Sequence, residues 1–249
     1  MPKRFSYQLY SSRNHGPVER TLEMLARCGY SEVEGYGGVF GEPAALRKAL
    51  DKAGLVMPSG HFSVEQMEAK PREVLAIART LGMHTLVMPY LDAEARPASA
   101  RGWKAFGKRL NAIAASYRAE GFGVAWHNHD FEFVTLKDGS VPMTLIFENA
   151  PQLDWEIDVA WVARGGANAL KWIKQYGAII TIAHVKDIAQ KGQKQDEDGW
   201  ADVGHGTLDW PAYIAALGRT RCMHYVMEHD NPRDDARFAK RSIAAAKKF

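Results

Sequence analysis

The sequence predicts an α/β protein, a single (β/α)8 TIM barrel spanning residues 1–249, and three observations lead there. Eight short runs rich in β-branched, aromatic and apolar residues recur along the chain. Stretches of helical period separate them in units of about 25 to 35 residues, the pattern of parallel strands joined by crossover helices. The length, 249 residues, is typical of one such barrel.

The strand-like runs come in order as "FSYQLYS" (5–11), "SEVEGYG" (31–37), "LVMPSGHFSV" (55–64), "HTLVMPYL" (84–91), "FGVAWHNH" (122–129), "LDWEIDVAW" (153–161), "AIITIAHVKD" (178–187) and "MHYVMEHD" (223–230). After the first, "VERTLEMLARCG" sets Leu22, Leu25 and Ala26 on one helical face. "PREVLAIARTLG" opens with Pro71 in a first turn and closes on Gly82, as helices often do. "RGWKAFGKRLNAIAASYRAEG" and "NALKWIKQYG" also end on glycine, "DWPAYIAALG" carries a first-turn proline, and a last helix-like segment runs from Arg233. "GYGGVFG" (35–41) is glycine-rich after a strand, but it lacks the GxGxxG spacing of a dinucleotide turn, which argues against an open doubly wound sheet.

Composition bounds the function. With 46% hydrophobic residues the chain can bury a sizeable core. A net charge of +3 gives no electrostatic footprint for nucleic acid, and the basic "KRSIAAAKKF" reads as a solvated helix face. Cys28 and Cys222 fit neither a CxxC site nor a disulfide framework. "MPKRFSYQLYSS" has no apolar leader core, and no stretch reaches the ~18 apolar residues of a membrane span. These features point to a soluble protein of the cytoplasm, with no nucleic-acid or membrane partner.

In such a barrel the chemistry sits at the C-terminal ends of the strands. Strand five ends in His127, His129 and Glu132, strand six in Asp158, strand seven in His184 and Lys186, and strand eight in Glu228. Four consecutive strands thus bring ionisable groups to one rim out of otherwise apolar runs. A buried charge is costly unless it is paired or bound to metal. Carboxylates and an imidazole converging on one point would repel without a cation, and their composition suits one divalent ion such as Mn²⁺, Mg²⁺, Co²⁺ or Zn²⁺.

"HNHDFEF", "IDVAW", "HVKD", "GHGTLDW" and "VMEHD", in this order, resemble the xylose isomerase-like barrels, which include sugar phosphate isomerase/epimerases, ketose 3-epimerases, inosose dehydratase-like lyases and AP endonucleases. "VEGYGGVFG" and "SGHFS" extend the resemblance to the early rim loops. It implies one metal, Mn²⁺ foremost, held by Glu, Asp, His and Glu from strands five to eight. Carried over, these are Glu132, Asp158, His184 and Glu228, with His127 as substitute for Glu132 because the family's glutamate stands nearer the strand end. Another departure is "VGHGTLDW", where His205 replaces the acid of the relatives' Gly-Glu-Gly. The nuclease branch needs a histidine three residues after the strand-six aspartate, and that position is Trp161.

The remaining rim residues read as substrate contacts. Lys186, two residues after His184 and so on the same face, would meet a substrate oxygen. The rings of Trp161 and Phe131 would meet a sugar's apolar face. His61, late in strand three, and His205 complete the set. Glu156 shares a face with Asp158 but lies deeper, so it reads as a paired barrel-layer residue. Asp158 is too far from "NALKW" to cap that helix.

The resemblance implies that Glu132 and Glu228 exchange a proton beside a carbonyl of a sugar or keto-sugar, giving isomerisation or epimerisation through an enediolate. With a leaving group in place the same first step becomes elimination, assisted by His127 or His129. A non-catalytic sugar-binding barrel is the further alternative. The resemblance also leaves room for a homo-oligomer or a partner subunit.

Overall fold

The computed structural model describes residues 4–249; residues 1–3, part of the N-terminal stretch read above for a leader, lie outside the described residues. Each of the eight runs forms a strand of one parallel sheet: β1 (Arg4–Tyr7), β2 (Glu32–Tyr36), β3 (Val56–His61), β4 (Thr85–Met88), β5 (Gly123–His127), β6 (Asp154–Asp158), β7 (Ile180–Val185) and β10 (His224–Met227). The order is β1-β10-β7-β6-β5-β4-β3-β2, and a parallel bridge between Gln8 and Glu34 links the ends of β1 and β2. The sheet therefore curls into a (β/α)8 barrel, as the alternation predicts. After β7 the chain adds a two-residue antiparallel ribbon, β8 (Asp187–Ile188) with β9 (Trp200–Ala201).

The helices sit where the period places them. Among them are α1 (Val18–Cys28), α4 (Pro71–Leu81), α5 (Ala100–Ala119), α8 (Ala169–Tyr176), α9 (Trp210–Leu217) and α10 (Asp235–Ala246). Pro71 opens α4, and Gly82 closes it at φ +75°, a left-handed conformation that glycine adopts without a Cβ penalty. Four helices not singled out in the sequence complete the layer: α2 (Pro43–Ala53), α3 (Val64–Ala69), α6 (Pro142–Asn149) and α7 (Val159–Arg164). No helix among the described residues is long and apolar enough to cross a membrane.

The helix α7 corrects the reading of Asp158. The strand run expected to reach residue 161 stops at Asp158, whose Oδ1 accepts from Trp161 N at 2.9 Å and caps α7. One oxygen of the carboxylate is spent on this cap and the other, Oδ2, is left facing the barrel.

Strand alternation sorts the side chains into two sets. Outward residues such as Val124, Trp126, Trp155, Ile157, Val185 and Met227 join the large core beneath the helices. Inward residues form layers, and Val87, Ala125, Ile182 and Val226 make a small apolar plug. The next inward positions toward the C-terminal end hold Glu34, His61, His127, Glu156 and His184, with Asp158, Lys186 and Glu228 also buried there. An apolar layer of the barrel interior thus lies directly beneath an ionisable one.

The loop carrying "GHGTLDW" is folded around one carboxylate. Asp187 accepts from the backbone N–H groups of Ile188, Gly204, Gly206 and Leu208 at 2.9–3.2 Å. A Cβ at Gly206 would overlap Asp187 Oδ1, and those four bonds prevent the carboxylate from yielding. We expect Gly206→Ala to destabilise the fold by about 1–3 kcal/mol, the usual range for overpacking, measured as a lower denaturation midpoint at unchanged m-value.

Candidate active site

A cavity of about 470 Å³ opens at the C-terminal end of the barrel, a size suited to a small ligand. His61, His127, His184 and Glu228 line its depth, while Tyr10, Tyr36, Tyr90, His129 and Trp161 line its walls. Its lining contains two acids, Glu228 and Asp230, and no lysine or arginine.

Two groups of ligand-type atoms converge beneath this cavity. The upper one is Asp158, His184 and Glu228, and the lower one is His61, His127, Glu156 and His184; in each group the atoms lie within 4.8 Å of one another. His184 belongs to both. Its Nε2 faces the lower group, 2.7 Å from Glu34 Oε1 and 3.0 Å from Glu156 Oε1, whereas its Nδ1 lies 4.0 Å from Asp158 Oδ2.

The two groups differ in how far they are satisfied. In the lower one, His61 Nε2 bonds Glu156 Oε1 at 2.8 Å, and His127 Nδ1 lies 3.1 Å from the same oxygen. Burial works against a charge on His61, but Glu34 and Glu156 raise its pKa to about 9. The same two carboxylates outweigh burial at His184 and hold it protonated well above the usual histidine range. His127 stays neutral, because burial and the nearby His184 charge push it well below that range. Two imidazolium groups therefore balance Glu34 and Glu156.

In the upper group Asp158 Oδ2, His184 Nδ1 and Glu228 Oε2 are buried and make no hydrogen bond. Lys186 Nζ stands 2.7 Å from Glu228 Oε2 outside hydrogen-bond geometry and bonds Asp230 instead. Burial, reinforced by Asp230 and opposed by Lys186, pushes the Glu228 carboxyl up to about 7. Burial likewise raises Asp158 against the pull of Lys186 and His184. Buried ligand atoms without partners, aimed at one another, fit a cation.

The other residues singled out in the sequence separate clearly. Glu132, expected as the strand-five ligand and a base, is in neither group and does not line the cavity. The 3-10 turn Phe131–Phe133 carries it behind the strand, where Oε1 accepts from Trp126 Nε1 at 3.0 Å and Oε2 from His129 N at 2.9 Å. Burial pushes its carboxyl up to about 8. His127, the substitute, lines the cavity and belongs to the lower group. His129 and Trp161 line the wall with ring centroids 5.0 Å apart. Burial, then the Lys186 charge, lowers His129 to about 3 and keeps it neutral.

Lys186, expected to touch substrate, is fully buried behind the wall between Glu228 and Asp230, with Nζ 4.0 Å from the Trp200 ring centroid. His205 is exposed on the loop around Asp187 and does not line the cavity. Glu156 is indeed deeper and paired, but with three imidazoles rather than one partner. Glu34 had no place in the sequence reading. Its signal was there in "SEVEGYG": Glu32 and Glu34 share one face of a strand that must be buried.

These placements give Glu132 a structural part. Glu132→Ala would leave the Trp126 and His129 N–H groups unpaired in the core, at about 1–3 kcal/mol each. We expect that loss in chemical denaturation, with the divalent-ion content of the purified variant equal to that of wild type. A variant that unfolds normally but loses the ion would contradict this placement.

Comparison with known proteins bears on the fold and the family. Curated relatives include the rhizopine catabolism protein MocC of Rhizobium meliloti, 25% identical over 235 residues, covering 82% of this chain and 71% of that one. A sugar phosphate isomerase/epimerase from Parabacteroides distasonis superposes with a TM-score of 0.83 at 19% identity, over 99% of this chain and 95% of that one. The probable 3-DHS dehydratase AsbF of Bacillus anthracis, involved in petrobactin synthesis, superposes with a TM-score of 0.78 at 11% identity, over 98% of both chains. At these identities the superpositions speak for the fold. The family model described as "Xylose isomerase-like TIM barrel" matches residues 22–249, and the chain belongs to that family.

Proposed function

We propose that this protein is a divalent-metal-dependent sugar isomerase or epimerase that moves a proton at a carbon beside a carbonyl. The observation that carries the reading is the set of three buried ligand atoms on Asp158, His184 and Glu228 that make no hydrogen bond and converge beneath a sugar-sized cavity, with Glu228 Oε2 offset by the Lys186 ammonium at 2.7 Å. These residues would hold the ion, which when bound would polarise the substrate carbonyl. Glu132, proposed from the sequence as a fourth ligand, has its two oxygens committed elsewhere.

Two groups can handle the proton. Glu228, with a carboxyl near 7, suits removal of a proton at neutral pH. His129, neutral and on the cavity wall three strands away round the barrel, can act on the other side of the substrate. It takes the part first given to Glu132. The Trp161 face supports a sugar ring, and His61 and His127 bound the floor. A lining without lysine or arginine favours a neutral sugar, keto-sugar or polyol over a phosphorylated one.

The ion is tested by its ligands. X-ray absorption of the zinc-loaded protein should show one imidazole on the metal, because the upper group offers His184 alone, and Asp158→Asn should reduce bound zinc. Three imidazoles would place the ion in the lower group instead.

The reaction is tested in D₂O. Free ketoses and keto-sugars should gain deuterium beside the carbonyl, with phosphorylated counterparts exchanging more slowly. Glu228→Gln should lower exchange on the order of 100-fold or more. His129→Ala should retain exchange and lose inversion at that carbon. A product lighter by water or by an alcohol would replace this reading with elimination, and bound sugar with neither exchange nor elimination would leave a binding protein.

A further inference from the structure

Glu34 lies in the middle of β2 with no solvent exposure, on the side of the barrel where β1 and β2 meet. Nothing about an enzyme of this reading requires a carboxylate there. Yet residues of the two neighbouring strands hold it in place. Gln8 Nε2, from just after β1, donates to Oε1 at 2.9 Å, and Ser59 Oγ, from β3, donates to Oε2. His61 Nε2, at the end of β3, stands 3.1 Å from Oε1. So fixed, Oε1 reaches across the barrel interior to His184 Nε2 on β7 at 2.7 Å.

An imidazole has two nitrogens, and the hydrogen bond at one decides what the other can do. A carboxylate on Nε2 keeps a proton on that atom. Nδ1 is then the nitrogen that must give up its proton to offer an ion a lone pair, and Nδ1 is the atom that faces Asp158 and makes no hydrogen bond. Were Nε2 free, the same ring could serve the lower group with His61 and His127. The carboxylate at position 34, the nearer of two at that nitrogen (Glu156 Oε1 stands at 3.0 Å), thus helps to separate two sites that share one side chain.

We propose that Glu34 is a positioning residue for the metal centre: by accepting from His184 Nε2–H it fixes the ring and directs Nδ1 to the ion held with Asp158 and Glu228, a role that rests on reading those residues as the ion site. Partners of metal-bound histidines typically change metal affinity by about 10–100-fold when removed. Gln8 and Ser59 act one step further back, by holding the carboxylate still.

The test uses the full chain, zinc, and ¹⁵N-histidine labelling. In zinc-loaded wild type, His184 should carry its proton on Nε2 and its metal on Nδ1. Glu34→Gln should weaken zinc by about 10–100-fold in chelator competition, and its Nε2–H resonance should move to that of a weaker hydrogen bond. Ser59→Ala, a smaller change, should move both readings in the same direction and serves if Glu34→Gln does not fold. Zinc on Nε2, or affinities of both variants within twofold of wild type, would overturn the role of Glu34 while leaving the ion site standing. Wild type that binds no zinc at all would overturn the ion site and this role with it.

Discussion

Strand alternation forces every second side chain into a narrow barrel interior, and there each charge must find its partner across the barrel. The lower layer solves this internally. Without an ion, Glu34 and Glu156 face His61 and His184, both held protonated; an ion on His184 Nδ1 would take the place of that nitrogen's proton and bring its own positive charge. The upper layer is not balanced in the same way. Asp158, Glu228 and Asp230 outnumber the ammonium of Lys186, and burial, reinforced by Asp230, raises the Asp158 and Glu228 carboxyls. A divalent cation beside Asp158 and Glu228 would supply the missing positive charge.

His184 connects the layers because its two ring nitrogens face opposite ways. One face of the ring meets Glu34 and Glu156 in the lower layer, and the other belongs to a group that is short of a partner. This is a sound way to hold a ligand. The imidazole does not have to be ordered when the ion arrives, since the hydrogen bond to Glu34 has already ordered it.

The sequence made most of the fold legible because period-two apolar runs and period-3.6 helices alternate without interruption. Asp158, His184 and Glu228 were legible for a related reason: each is an ionisable residue at the last inward position of an apolar strand. Glu132 was not, because the direction of a side chain in a three-residue 3-10 turn depends on what that turn packs against, here the Trp126 indole. The multiple pairing of Glu156 depends on the stagger between strands, shown by the register shift between β6 and β7, and spacing within one strand cannot reveal it. Glu34 could have been found. The cost of a buried charge bears on Glu32 and Glu34 as it does on strands five to eight, and it demands a partner that neutralises them.

Lys186 shows how the site can be both charged and selective for a neutral ligand. Its ammonium lies against the Trp200 face and is tied to Glu228 and Asp230, so it lowers the cost of keeping those acids ionised. Its burial also keeps it from the cavity, where it would attract anions. An ion bound to Asp158 and Glu228 would feel some repulsion from this neighbour, and the bond to Asp230 holds the ammonium to the side. What remains open to a substrate is the neutral His127 and His129 and aromatic faces around the ion, with the His61 and His184 charges already paired to Glu34 and Glu156 below. Such a lining orients hydroxyl groups and ring faces by hydrogen bonds and stacking, and offers no lysine or arginine to pair a phosphate.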